Sequence, residues 1–361
     1  MLPRRIAYVV NYFPKFSETF IASELVELQR RGIEVRVLAL EPPKLALCHD
    51  FIIAAGLNRA TTYGVRNFDD VLEEFRPDLI HAHFATQATA EARRLAAKFA
   101  LPFTFTAHGY DIYRDPPADF RDRARSAAAL ITVSWANARY ISNNLEVPLD
   151  LIHVIAAGVD TSRFHPLRDP HDLNTNGSEM PPLIVCVARY EPAKNLVLLL
   201  RACGILRDRG VNFRCVMIGE GKSRKIIERV RSELRLDEVV DLAGATEHNQ
   251  VLGFLQGASI AVLTSEREGM PVCLMEAGAC AVPVVATSVG GIPELIEHEV
   301  TGLLTAPGEA GAFADGLERL LSEPHLRRRM GAAARLRIEE RFSLGRQMDQ
   351  MLDIWSRSVS S

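Results

Sequence analysis

Residues 265–304 read SEREGMPVCLMEAGACAVPVVATSVGGIPELIEHEVTGLL, and the order of elements in this stretch decides the fold. An apolar run at 258–263 ends just before it. A polar turn follows, holding Glu268, Gly269, Met270 and Pro271, and a helix is predicted over 272–279. Pro271 suits the first turn of that helix, where an N–H has no partner to lose. A second apolar run comes at 284–286. Short apolar run, turn, helix, short apolar run is the rhythm of a parallel sheet covered on both faces.

The same rhythm extends in both directions. Upstream, strands are predicted at 183–188, 214–218 and 239–242, with helices at 195–208, 224–234 and 250–256. Downstream, 313–321, 326–340 and 344–355 read as helices. The first half repeats the pattern with strands at 6–10, 35–40, 78–81, 103–107, 130–133 and 151–155, and helices at 19–30, 85–99 and 135–144. It breaks once, at 166–182, PLRDPHDLNTNGSEMPP, which has no apolar period and reads as a linker. The expected fold class is α/β, with one Rossmann-like, doubly wound domain at 1–165 and another at 183–343. Ligands of such sheets bind at the carboxyl ends of the strands, so a cleft between the two domains is the expected site.

Composition narrows the function. The 361 residues suit two domains, and 48% hydrophobic with 24% charged residues is ordinary for a globular enzyme. A net charge of -3 excludes the broad basic surface of a nucleic-acid binder. A small acidic ligand stays open, because a local cluster of cations can hold it. The cysteines Cys48, Cys186, Cys203, Cys215, Cys273 and Cys280 form no CxxC pair and read as reduced core thiols. The first apolar run is too short for a signal peptide or a membrane span. A cytoplasmic protein is expected, with at most peripheral membrane contact. Basic pairs at Arg4/Arg5, Arg30/Arg31 and Arg93/Arg94 could meet anionic lipid or simply face water.

Several residues carry candidate chemistry. Glu276 sits in an apolar helix, where a carboxylate needs hydrogen-bond donors. Sugar and ribose hydroxyls are such donors, and so is an internal partner. In ARYEPAKN, Arg189 and Lys194 follow a strand and suit a diphosphate, or are solvated loop cations. Gly219 and Gly221 allow close approach of a ligand, or make a turn. His108, in TAHGYD, follows a strand and can orient a substrate group or be structural. His81 and His83 also follow a strand, at alternate positions, without a third ligand for a metal. Ser17 and Glu18 lie between the first strand and helix, as a cap or as a site-facing turn. No Asp-x-Asp triplet is present.

Together these segments resemble the family-4 retaining glycosyltransferases of GT-B fold, along nearly the whole chain and most strongly over 183–304. The most specific part is the Glu-seven-residues-Glu motif of Glu268 and Glu276, followed by Gly290-Gly291-Ile292-Pro293-Glu294. NYFPKFSETFIASELVELQRRGIEV and HAHFATQA resemble the subgroup that builds bacterial exopolysaccharide of the colanic-acid type. The resemblance implies that Arg189 and Lys194 hold the donor diphosphate. It implies that Glu268 contacts the transferred sugar beside the N–H groups of Gly269, Met270 and Val272, and that Glu276 holds the ribose. Ala245 and Thr246 would lie beside the base, and His108 near the sugar and its leaving oxygen. Ser17 and Glu18 would approach the phosphates. The final helix, 344–361, would return to the first domain.

The implied partners are a UDP-, GDP- or ADP-sugar and a glycan, glycolipid or small-molecule acceptor, with no nucleic acid, no cofactor and no metal. Retention implies a same-face substitution through an oxocarbenium-like state. The chain departs from many relatives between residues 42 and 61, which are short here, so the acceptor is the least transferable inference. Two other readings share the fold: a nucleotide-sugar epimerase, and a non-catalytic nucleotide-sugar-binding subunit. A dinucleotide enzyme is disfavoured, because 6–10 runs into Asn11-Tyr12-Phe13 with no G-x-G-x-x-G.

Overall fold

The computed structural model describes residues 2–43, 48–167 and 181–360. The chain divides into two units, Met1–Gly158 with Leu344–Ser361, and Val159–Ser343. Most of the expected linker, 168–180, and residues 44–47 of the short 42–61 segment lie outside the described residues.

The first unit is a seven-stranded sheet. Its strands are β1 (Arg5–Tyr12), β2 (Glu34–Glu41), β3 (Thr61–Tyr63), β4 (Leu79–His83), β5 (Phe103–Ala107), β6 (Ala129–Thr132) and β7 (Ile152–Val154). They are ordered β3-β2-β1-β4-β5-β6-β7, with every pairing parallel. The residues from Ile6 to Val10 are all buried, as a strand covered on both faces requires. The order reverses between β1 and β4, which makes the carboxyl ends of these strands the topological switch point.

The helix Leu344–Ser358 completes this unit. Leu344, Met348, Met351, Leu352 and Trp355 recur at helical spacing and pack in one cluster with Tyr8, Ile21 and Leu25. The Trp355 indole N–H donates to Thr104 Oγ1 at 3.0 Å, so a fully buried ring keeps its one polar atom satisfied.

The second unit is a six-stranded sheet of β8 (Leu183–Val187), β9 (Arg214–Ile218), β10 (Val240–Gly244), β11 (Ile260–Leu263), β12 (Val284–Thr287) and β13 (Gly302–Thr305). The order is β10-β9-β8-β11-β12-β13, all parallel, with its switch point between β8 and β11. Residues 159–165 belong to this unit. The Val159 N–H donates to the Phe342 carbonyl at 2.9 Å, and Arg335 donates to the carbonyls of Thr161 and Phe164 at 3.1 and 2.7 Å.

All six cysteines are free thiols. Burial pushes Cys273 and Cys280 up to about 12 and so keeps them protonated. Two of the basic pairs lean into their own unit, with Arg31 paired to Glu27 and Asp349 and Arg94 to Glu91 and Asp69. Among the described residues no helix is long and apolar enough to cross a membrane.

Candidate active site

In the second unit, the loops leaving β8 and β11 are tied together at the switch point. The Thr264 hydroxyl donates to the Lys194 carbonyl at 3.1 Å, and the Glu266 N–H donates to the Ala193 carbonyl at 2.8 Å. This brings Lys194 and Glu268, 74 residues apart, into an ion pair of 2.5 Å between Nζ and Oε1. The Ser265 hydroxyl donates to the same carboxylate oxygen at 2.5 Å. The pair is largely buried, with side-chain exposures of 19% and 9%, which strengthens its attraction relative to a surface pair.

A third loop fixes the backbone of Glu268. Gly290 has φ +53° and packs so tightly that an added Cβ would lie 1.8 Å from the Glu268 carbonyl oxygen. The Gly291 N–H donates to the same carbonyl at 3.3 Å. The Gly-Gly pair is therefore a seat for the Glu268 turn. Pro271 sits just before the helix Val272–Ala279, at φ -80° and ψ 107°, one step earlier than a first-turn proline. The Leu274 N–H donates to the Pro271 carbonyl at 3.1 Å, while the N–H groups before it in this first turn have no carbonyl of a preceding helical turn to meet, and so suit an anion.

Glu276 is buried in that helix and accepts from His248 Nε2 at 2.7 Å. His248 was not among the sequence candidates. It opens the helix His248–Gln256, and it shares the buried face of that helix with Val251 and Leu255 at positions i+3 and i+7. That spacing is the signal by which the sequence could have shown an inward-facing histidine.

The remaining donor-side candidates divide. Arg189 is exposed, and its guanidinium has no hydrogen-bond or ion-pair partner among the described residues. Thr246 Oγ1 donates to the Gly244 carbonyl at 3.1 Å, and Ala245 is exposed. Gly219 and Gly221 serve the chain's own backbone. A Cβ at Gly219 would lie 1.9 Å from the Ala188 oxygen, and one at Gly221 would lie 2.5 Å from the Tyr190 oxygen. The turn reading accounts for both glycines without a ligand.

In the first unit, His81 and His83 lie within β4 rather than after it. His81 meets Thr104 Oγ1 through Nδ1 at 2.8 Å and Thr106 Oγ1 through Nε2 at 3.2 Å. His83 meets His108 Nε2 through Nδ1 at 3.0 Å and Glu24 Oε2 through Nε2 at 3.0 Å. Burial holds the His108 ring well below the usual imidazole range, so it is neutral. The Asp111 carboxylate accepts from the N–H groups of Ala85 and His108 at 2.6 and 2.8 Å, and burial still raises it to about 7. Ser17 is exposed, while Glu18 pairs with Lys15 and its side chain does not cap the following helix.

Two parallel sheets of doubly wound order, with a cation–carboxylate pair at the switch point of the second, are the architecture of the GT-B fold. The model of the glycosyl transferases group 1 matches residues 170–337, and that of Glycosyltransferase Family 4 matches residues 17–163. The chain belongs to the family-4-type glycosyltransferases, and it is an enzyme of that kind.

A protein of Escherichia coli (strain K12) named, provisionally, as the colanic acid biosynthesis glycosyltransferase WcaL is 27% identical across 87% of this chain and 89% of its own. A D-inositol 3-phosphate glycosyltransferase of Saccharomonospora viridis is 27% identical across 95% of this chain and 89% of its own. Among solved structures, Anabaena HepE in complex with UDP and glucose superposes with a TM-score of 0.78 at 18% identity, across 98% of this chain and 99% of its own.

Proposed function

We propose that the chain transfers a sugar from a nucleotide-diphosphate donor to an acceptor hydroxyl, with retention at the anomeric carbon and without a metal. The observation that carries this reading is the Lys194–Glu268 pair at the carboxyl edge of β8 and β11. An ammonium has three donors, so Lys194 can keep Glu268 and still meet a phosphate oxygen. Arg189 adds a planar fork for the diphosphate. The N–H groups of Gly269, Met270 and Val272, in the turn shaped by Pro271, complement the charge that develops on the leaving group.

Glu268 then faces the transferred sugar. Glu276, braced by His248, takes the ribose hydroxyls, and Ala245 and Thr246 flank the base. The acceptor oxygen forms its bond to the anomeric carbon as the bond to the phosphate oxygen breaks on the same face. The departing phosphate oxygen takes the hydroxyl proton. His108, neutral in the folded unit, orients a sugar or acceptor hydroxyl.

The UDP and glucose held by HepE make a UDP-sugar the first donor to test. The name of WcaL supports a role in surface polysaccharide, and the inositol enzyme a small-molecule acceptor. Six free thiols suit the cytoplasm. The experiment is a thermal-shift panel of UDP, GDP, ADP and CMP and their sugar conjugates, with and without EDTA. A ligand at a hundred times its dissociation constant adds about 2.7 kcal/mol. A shift with one diphosphate that EDTA leaves intact is expected. No shift with any nucleotide overturns the donor site, and a shift abolished by EDTA overturns metal independence.

A further inference from the structure

We infer that Glu24 and His83 are positioning residues that fix the tautomer of His108, holding its proton on Nε2 and a lone pair on Nδ1. The inference deepens the reading of His108 as a group that orients a hydroxyl, and its role in transfer rests on that reading.

The argument starts at Glu24, buried in the helix Thr19–Arg30. Its Oε1 accepts from the Gln347 side-chain amide at 2.7 Å, and its Oε2 accepts from the Tyr8 hydroxyl at 3.3 Å. Burial, and then the nearby Glu24 carboxylate, push the Tyr8 phenol well above its usual range, so the phenol stays a donor. Gln347 is itself oriented, because its side-chain oxygen accepts from the Gly158 N–H at 2.7 Å. That leaves its NH₂ to face Glu24. A carboxylate that already receives two donors is an acceptor toward its third neighbour, His83 Nε2.

The rest follows from the chemistry of imidazole. A neutral ring has one N–H and one lone pair. With its proton on Nε2, His83 offers a lone pair at Nδ1. The contact from His83 Nδ1 to His108 Nε2, at 3.0 Å, then requires the proton to sit on His108. The two ring planes differ by only 22° with centroids 5.3 Å apart, which is the edge-to-edge, nearly coplanar arrangement of an N–H···N bond. His108 is thus an acceptor at Nδ1, which agrees with its side chain accepting from the Asp111 backbone N–H in the capping box of the helix Gly109–Tyr113, so the ring that orients a hydroxyl is held in one tautomer and one rotation. Phe20 and Phe84 pack around the ring at centroid distances of 5.0 and 4.6 Å and hold it in place.

The test uses the full chain labelled with 15N-histidine, with the His108 resonances assigned through His108→Gln. Long-range proton–nitrogen spectra are expected to give His108 as the Nε2–H form. Glu24→Gln puts an amide NH₂ against two other donors. It is expected to change that signature and to lower the turnover of UDP-glucose to UDP roughly a hundredfold. The thermal shift produced by UDP stays as in the wild type. Tyr8→Phe keeps the carboxylate and is expected to keep the Nε2–H form, so the inference is tested even if Glu24→Gln does not fold. An Nδ1–H form of His108 in the wild type, or a folded Glu24→Gln with unchanged tautomer and turnover, overturns it. Failure of the wild type to bind UDP or turn over UDP-glucose instead counts against the proposed function, and the tautomer is still decided by the spectrum.

Discussion

Replacing Gly290 with alanine isolates what the Glu268 seat contributes. The new Cβ meets the Glu268 carbonyl oxygen at 1.8 Å and its carbonyl carbon at 2.9 Å. Real Cβ contacts essentially stop at 3.0 Å, so going from 1.8 to 3.0 Å the Glu268 turn must retreat by about 1.2 Å. A displacement of about 1 Å at a reacting centre costs on the order of a hundredfold in rate. The left-handed backbone, φ +53°, adds roughly 1 kcal/mol of strain for any residue with a Cβ. Gly308 supplies the control. It has φ +85° and nothing within 4 Å of an added Cβ, so Gly308→Ala carries the backbone strain without the collision. Both variants are expected to lose about 2–4 °C in melting temperature from that strain, and Gly290→Ala more. Only Gly290→Ala loses sugar transfer, by about a hundredfold, and most of its nucleotide-sugar thermal shift. If the two variants have the same transfer rate, the seat does not position Glu268 and the reasoning fails.

Lys194→Met leaves Glu268 buried without its cation and is expected to destabilise the second unit by about 3 kcal/mol in denaturant melts. Adding Glu268→Gln restores most of that stability while transfer stays down about a hundredfold, so the cycle separates folding from chemistry. His248→Leu removes the 2.7 Å partner of Glu276 and should weaken UDP binding about tenfold by titration calorimetry. Asp111 binds its proton more tightly folded than unfolded, so its contribution to stability falls as pH rises from about 4 to about 7. Asp111→Asn should therefore gain stability relative to the wild type across that window in urea melts, and parallel curves would refute the assignment.

The fold was legible because both halves write the same short period. The runs at 6–10 and 183–188 are apolar on both faces, which only a covered parallel strand needs. Lys194 and Glu268 were legible as residues at strand ends next to a helix start. Their pairing was not, because the contact spans 74 residues and no local pattern encodes it. Glu24 escaped for the same reason. Its partners are 16, 59 and 323 positions away, and in the sequence it is one glutamate among the polar residues of an amphipathic helix. His81 and His83 did carry a signal. Alternate positions on a strand share one face, so two histidines there face the same neighbours, and those neighbours were the missing information. Gly219 and Gly221 looked the same whether they met a ligand or their own chain, and only the distances to Ala188 and Tyr190 reveal what the chain itself demands of them.

The first unit is written in two pieces. Its sheet is complete by Val154, yet Trp355 and Gln347 belong to the same packed interior. During synthesis the 185 residues of the second unit are contiguous and can fold as they emerge. The earlier-made half has to wait, with Tyr8 and Glu24 lacking their final neighbours, until residue 355 has left the ribosome. Shortening the chain by its last helix would therefore injure the part that was made first.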